Sequence, residues 1–204
     1  MKALARKPTA ERRAEIAQTA LRIIGERGVT ALTTAALAEE IGVTSGALFR
    51  HFASIDEILV EAARYGVERI RTTFATDTLS PKDRLLDTAR ARISLLGSNR
   101  GLDWLLRSDQ ARLILPSEAV EVLTDFVRSS KEFLERAVRE AASEGSIRTD
   151  IKPEAVLVIF MGTVHALIGM QGVHKAATKE LGKRPKEVLD ALMLVLEPTE
   201  TIEK

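Results

Sequence analysis

Residues 33–52, TTAALAEEIGVTSGALFRHF, decide the fold of this chain. Thr33 is placed to cap a short helix, Gly42 can adopt the positive φ that ends it, and Thr44 offers a hydroxyl cap to the next helix. Two short helices joined at a glycine in this way predict a helix-turn-helix, whose second helix enters the major groove of DNA. An ordinary helical hairpin is the alternative, because short helices joined at glycine are common.

The apolar spacing of this stretch separates a buried face from an exposed one. The residues expected to be buried are Leu37, Ile41, Leu48 and Phe52. With these side chains inward, Gly46 and Arg50 face outward on the second helix, flanked by Ala47 and Phe49. Small residues at the start of the helix allow close approach to base edges, and Arg50 could contact a guanine or a phosphate.

The same residues resemble the TetR family of bacterial transcriptional regulators. The shared pattern over residues 33–52 is Thr-x-x-x-Leu-Ala-x-x-x-Gly-Val-Thr-x-Gly-x-Leu-Phe-x-His-Phe, and it continues as Ser54-x-Asp56-Glu57-x-Leu59. The resemblance covers residues 9–60, approximately, and implies that DNA is lined by Thr44, Ser45, Gly46, Ala47, Phe49 and His51. Thr33, Thr34 and Arg50 complete the set of candidate DNA-binding residues.

Two positions depart from the family pattern, and both changes remove a contact to a DNA phosphate. Phe49 stands where the family usually has tyrosine, and Ile55 where lysine is common. Residues 1–52 carry eight basic and five acidic side chains, whereas residues 53–204 carry 22 and 24. The residues expected to compensate are Lys2, Arg6, Lys7, Arg12 and Arg13. A solvated leader without DNA contacts is the alternative for the first seven residues.

Composition excludes several classes of protein. Of 204 residues, 45% are hydrophobic and 29% charged, which is the balance of a soluble globular protein. The absence of cysteine excludes disulfides, thiolate metal ligands and cysteine nucleophiles. The sequence also lacks a glycine-rich phosphate loop, a histidine–carboxylate cluster and paired buried carboxylates. We therefore expect no catalytic activity, no cofactor and no metal site.

Helical spacing runs through almost the whole sequence, and no segment shows sustained strand alternation. The prediction is an all-α fold of about nine helices. Their approximate bounds are 9–27, 34–41, 45–52, 55–76, 81–97, 101–113, 117–144, 153–178 and 185–196. The expected domains are a three-helix helix-turn-helix DNA-binding domain over 1–54 and a helical effector-binding and dimerisation bundle over 55–204.

The helix predicted over 153–178 is apolar all round from Val156 to Met170, so both of its sides need cover. Its apolar run is shorter than the roughly 20 residues of a membrane span, which favours a buried helix in a cytoplasmic protein without a membrane partner. The resemblance implies a four-helix dimer interface; a central helix in a large monomeric core is the alternative. The candidate interface residues are Ile159, Gly162, Ala166, Gly169, Val173, Leu189 and Leu192.

The resemblance also implies an effector cavity within the fourth to eighth helices. Candidate lining residues are Trp104, Phe126, Met161 and His165, although the sequence favours plain core for each of them. His165 and His174 lie on opposite sides of their helix and cannot share a metal.

The expected function is a homodimeric repressor that a small, largely apolar effector releases from an inverted-repeat operator in double-stranded DNA. The alternative is an effector-independent architectural or protein-interaction protein that uses the same module.

Overall fold

The computed structural model describes residues 8–171 and 185–198. Within them all regular structure is helical, which confirms the all-α prediction. The helices are α1 Thr9–Arg27, α2 Thr34–Ile41, α3 Ser45–Leu48, α4 Ile55–Arg71, α5 Pro81–Ser98, α6 Arg100–Arg107, α7 Asp109–Ile114, α8 Ser117–Ser143, α9 Pro153–Gln171 and α10 Pro185–Val195. A 3-10 turn, Val29–Ala31, joins α1 to α2.

Two predicted helices end before the residue that the sequence predicts. The helix predicted over 55–76 ends at Arg71, where the Thr73 hydroxyl donates to the carbonyl of Ile70 at 2.6 Å. This side-chain bond competes with helix continuation. The helix predicted over 45–52 ends at Leu48, whose carbonyl accepts the N–H groups of residues 51 and 52 at 2.9 and 3.1 Å in a turn.

The segment predicted as one helix over 101–113 is two helices, so the described residues hold ten helices rather than nine. Ser108 has an extended backbone, with φ −86° and ψ 126°, and separates α6 from α7. A serine followed by an aspartate is typical of a helix start, and the continuous apolar spacing conceals it in the sequence. The last residues of the helix predicted over 153–178 lie outside the described part of the chain.

The described chain divides into two compact units. The first takes the residues up to Arg69 together with Asn99–Phe126, and the second takes Ile70–Ser98 together with the residues from Val127 onward. In the first unit α6, α7 and the beginning of α8 therefore accompany the N-terminal helices. The domain boundary between residues 54 and 55 remains a prediction.

The first unit depends on a close crossing of α1 and α6 at two glycines. A Cβ atom on Gly101 would lie 2.1 Å from the backbone oxygen of Leu21, and one on Gly25 would lie 2.4 Å from the backbone nitrogen of Gly101. Neither backbone can yield without moving its helix. Glycine at these two positions therefore allows the helices to pack backbone against backbone.

The second unit is built on α5 and α9, with α10 packed against both. One side of α9 is buried in the chain's own core, through Val156, Leu157, Phe160, Val164, Leu167 and Ile168. The opposite side is open in the single chain, with Val158 71% exposed. Among the described residues, α9 alone is long and apolar enough to cross a membrane, and a core helix of a soluble protein passes the same test.

We predict that Gly101→Ala destabilises the protein by about 1–3 kcal/mol, because the added methyl group overpacks the crossing of α1 and α6. Chemical denaturation monitored by circular dichroism measures the change. Gly46→Ala is the matched control, since a Cβ on Gly46 meets nothing within 4 Å. It should leave stability unchanged or raise it by roughly 0.5–1 kcal/mol. Equal stability of the two variants would contradict the close crossing.

Candidate DNA-binding site

The turn between α2 and α3 is set by two threonine caps and one glycine. Thr33 Oγ1 accepts a hydrogen bond from the N–H of Ala36 at 3.1 Å, which opens α2. Gly42 adopts the left-handed conformation, with φ 76° and ψ 36°, and ends α2. Thr44 Oγ1 then accepts from the N–H of Ala47 at 3.2 Å and opens α3. These three local features have the arrangement that the sequence predicts.

The buried face of the module follows the apolar spacing. Leu37 is fully buried, and Leu48 and Phe52 are each 2% exposed. Ile41, which the sequence predicts to be buried with them, is only half-buried at the end of α2. The opposite side of α3 is left open to solvent by this packing.

The nine predicted DNA-binding residues lie at the starts of α2 and α3 and in the turn that follows α3. Those exposed are Thr33, Thr44, Ser45, Gly46, Phe49 and Arg50, and those half-buried are Thr34, Ala47 and His51. Phe49 is 53% exposed, unusually open for an aromatic side chain. The Nδ1 atom of His51 is buried and has no hydrogen-bond partner within the described chain, so only the rest of its ring is available to a ligand.

Gly46 leaves the backbone of α3 without a side chain at an exposed position. Its Cβ position is open, with no atom within 4 Å, so glycine is not required there by the packing of the chain itself. Arg50 lies four residues further on, also exposed. A bare backbone beside an exposed guanidinium suits a surface that approaches the edges of base pairs.

The basic start of the chain differs from the prediction, because two of its arginines are engaged within the chain. Arg12 pairs with Glu15 on the same helix at 2.8 Å. Arg13 Nη1 donates to the carbonyl of His51 at 2.5 Å and to Glu57 Oε1 at 2.9 Å. Arg13 Nη2 donates to Glu61 Oε2 at 2.9 Å. The remaining residues of the predicted basic arm, Lys2, Arg6 and Lys7, lie outside the described residues.

The guanidinium carbon of Arg13 also lies 4.0 Å from the centre of the Phe52 ring. We call Arg13, His51, Phe52, Glu57 and Glu61 the Arg13 clamp. Burial lowers the pKa of Arg13, but its hydrogen bonds to Glu61 and Glu57 outweigh that effect and raise it. Sequence reasoning missed the clamp, because 38 to 48 residues separate Arg13 from its hydrogen-bond partners.

The start of α4 carries a capping box whose carboxylate reaches one residue beyond the N-cap Ser54, to the N–H of Ala53. The N–H of Glu57 donates to Ser54 Oγ at 3.1 Å, and Glu57 Oε2 accepts from the N–H of Ala53 at 2.7 Å. The Ala53 N–H and then the Arg13 guanidinium lower the pKa of Glu57. Glu57 therefore joins the capping box to the Arg13 clamp.

The four candidate effector-binding residues are divided between the two units. Trp104 and Phe126 belong to the first unit, where Trp104 is half-buried and Phe126 is 1% exposed. Met161 and His165 belong to the second, one turn apart on α9, with Met161 half-buried and His165 exposed. Among the described residues no group of three or more histidine, aspartate or glutamate side chains could hold a metal ion.

The candidate interface residues on α9 lie on its open side. Ile159 is 45% exposed, Gly162 and Ala166 are exposed, and Gly169 is half-buried. Val173 and the neighbouring His174 lie outside the described residues.

The interface prediction for α10 differs from the structure. Leu189 is fully buried and Leu192 is 9% exposed, because α10 packs with these side chains against α5 and α9. The exposed apolar side chains of α10 are instead Leu194 and Val195, at 68% and 65%. Apolar spacing alone could not show whether Leu189 and Leu192 are covered by the chain's own core or by a partner.

The similarity of this chain to known proteins supports the assignment of a DNA-binding site. The family model of the bacterial regulatory proteins, tetR family, matches residues 16–62. The repressor AcnR of Corynebacterium diphtheriae is 30% identical over 153 residues, covering 75% of this chain and 76% of that protein. The nucleoid occlusion factor SlmA of Marinobacter nauticus is 30% identical over 147 residues, covering 70% of this chain and 72% of that protein.

A solved structure shares the fold as well. AibR in complex with isovaleryl coenzyme A and operator DNA superposes with a TM-score of 0.69 at 21% identity, covering 91% of this chain and 97% of that one. Two relatives at 30% identity across more than two thirds of both partners show the family, and the family model covers the helix-turn-helix itself. This chain therefore belongs to the TetR family and is a DNA-binding transcriptional regulator.

Proposed function

We propose that this regulator is a homodimeric repressor that binds an inverted-repeat operator through α3 and that a small, largely apolar effector releases it. The observation that carries the proposal is the open side of α3 and of the turn that follows it, where Gly46 and Arg50 are exposed while Leu48 and Phe52 are packed into the module. The protein would act on DNA in the cytoplasm and would catalyse no reaction.

The DNA contact divides into base and phosphate parts. Gly46 lets the backbone of α3 come close to base edges, and Arg50 has a guanidinium that can bind guanine bidentately. Thr33 and Thr44 stand at the two helix starts, where hydroxyl and backbone N–H groups suit phosphate oxygens. This assignment predicts that Arg50 gives the protein its preference for a DNA sequence. Thr33 and Thr44 should instead contribute to affinity for any duplex.

We predict that Arg50→Ala weakens operator binding by about 1–3 kcal/mol and relaxes preference at one base position. Fluorescence anisotropy with an operator and its single-base variants measures both effects. Arg90→Ala is the matched control, because it removes the same charge from an exposed arginine of α5. A uniform loss across all operator variants would show that Arg50 contacts only phosphate.

The open side of α9 supports a homodimer. Val158, Ile159, Gly162 and Ala166 form an exposed surface of apolar and small side chains on a helix whose other side is already core. Small residues at helical spacing let a second helix approach closely. A second copy of the chain would cover this surface and would bring two helix-turn-helix modules to the two halves of an inverted repeat.

We predict that Ala166→Leu dissociates the dimer without unfolding the chain, because Ala166 is exposed in the single chain and the larger side chain obstructs only the partner. Sedimentation velocity and circular dichroism on the same sample measure the two effects. Ala166→Ser keeps the side chain small and should remain dimeric. A dimeric Ala166→Leu variant that has lost helix content would place this surface inside the monomer core.

The effector proposal is supported by a protein of the same fold whose structure holds a small ligand. Trp104, Phe126, Met161 and His165 remain its proposed contacts. The structurally similar AibR has been solved with isovaleryl coenzyme A and operator DNA together. An acyl thioester, with its apolar acyl chain, is therefore the first class of effector to test.

We predict that an acyl-coenzyme A of suitable chain length lowers operator affinity roughly 5- to 150-fold, the usual range of coupling between two sites. Titration of acyl chains of increasing length would measure operator release by anisotropy and binding by the fluorescence of Trp104, the single tryptophan. Coenzyme A alone is the control. Saturation of the Trp104 signal with unchanged operator affinity would contradict release by this class of effector.

An effector-independent architectural protein is the second candidate. The observation in its favour is the 30% identity to a protein named nucleoid occlusion factor. Such a protein would use the same module and the same α9 surface to mark DNA sites. Operator affinity that no bound small molecule changes would favour it over the repressor.

A further inference from the structure

We propose that Arg13 is a positioning residue for DNA recognition. The recognition segment consists of α3 and residues 49–52, and Arg13 fixes its end, residues 49–52, against the start of α4. The inference rests on the proposed role of residues 44–51 in binding DNA. Arg13 itself would not touch DNA. It would set the direction in which α3 and the residues after it face the operator.

The recognition segment needs such support because it contains little regular structure of its own. Helix α3 has four residues, and residues 49–51 continue it only as a turn. A helix of one turn is unstable by itself, because nucleation costs more than its few hydrogen bonds return. The orientation of Phe49, Arg50 and His51 must therefore come from contacts outside the segment.

Arg13 supplies those contacts at the far end of the segment. It binds the carbonyl of His51 and lies over the ring of Phe52, while its other hydrogen bonds go to Glu57 and Glu61 of α4. A single side chain of α1 thus joins the last residues of the recognition segment to the first two turns of α4. Glu57 holds the intervening loop as well, through the N–H of Ala53.

The geometry requires arginine in particular. A planar guanidinium presents several N–H donors in fixed directions and can stack on an aromatic ring at the same time. The ammonium group of lysine is a compact charge with all three donors on one nitrogen, so it lacks the spread of donors and the planar face that arginine uses here. Arg13→Lys therefore keeps the charge and removes the geometry.

The charge of the clamp argues against direct phosphate contact. One guanidinium faces two carboxylates, Glu57 and Glu61, so the cluster carries a net negative charge when all three are ionised. A phosphate would be repelled by that cluster rather than attracted to it. The contribution of Arg13 to DNA binding is thus one of geometry.

The test compares Arg13→Lys with Arg12→Lys in the full-length protein. Arg12 is the matched control, because it is the neighbouring arginine of α1 and pairs only within that helix to Glu15 in the contacts described. We expect Arg13→Lys to lower operator affinity about tenfold, the loss that corresponds to one charge-assisted hydrogen bond. In Arg13→Lys, the affinity for non-operator duplex and the salt dependence of binding should stay as in the wild type. Arg12→Lys should leave operator affinity, non-operator affinity and salt dependence unchanged.

Amide hydrogen exchange of the free protein gives a second readout, which does not depend on DNA. Arg13→Lys should speed exchange at His51, Phe52 and Ala53 while the amides of the α1 core keep their protection. Uniformly faster exchange would instead indicate a general loss of stability and would overturn the positioning role. Glu61→Gln, which removes one charged acceptor and leaves Arg13 in place, should produce the same local effect more weakly.

Two binding results would overturn the proposal. Unchanged operator affinity in Arg13→Lys would show that the clamp does not position the recognition segment. A salt dependence reduced by about one unit of log–log slope in Arg13→Ala would show direct contact with a phosphate. If the wild-type protein bound no duplex with sequence preference, the proposed function itself would fail, and the exchange measurement would still decide whether the clamp holds residues 51–53.

Discussion

The residues proposed to face DNA depend on a helix of four residues, α3, which cannot be stable alone. Thr44 caps it, Leu48 anchors it in the core, and Arg13 binds the carbonyl of His51 beyond its end. These three contacts hold α3 at its start, at its last residue and in the turn that follows it. The exposed side of α3 contributes little to the stability of the module. It can therefore carry residues that suit contact with DNA, such as Gly46.

The fold could be predicted from the sequence wherever a boundary is set by neighbouring residues. The bounds of α1 and α2 match the prediction to the residue, because Gly28 and Gly42 end these helices with positive φ and Thr33 caps the second. The break at Ser108 was missed because it interrupts the helix without interrupting the apolar spacing. The crossing at Gly25 and Gly101 was missed for a different reason: a close approach between distant residues has no local signal.

The candidate site was predictable to a similar degree. The spacing of residues 44–51 indicates which side of α3 is exposed, and the structure has that side open. The role of Arg13 could not be inferred, since a basic residue near the start of a DNA-binding chain is readily assigned to a phosphate. Its partners, two carboxylates and a carbonyl, become neighbours only after folding. For α10 the apolar residues Leu189 and Leu192 were expected to need cover, but the spacing could not show that the chain's own core supplies it and that Leu194 and Val195 stay exposed.

We propose that two copies of the chain present two α3 helices to a symmetric operator. The most direct measurement is a hydroxyl-radical footprint on a duplex selected by the purified protein, with the stoichiometry of the complex taken from sedimentation. We expect two protected stretches related by a dyad, with centres about 34–36 Å or a multiple of that apart, and an even number of chains per duplex. A single asymmetric footprint occupied by one chain would contradict it.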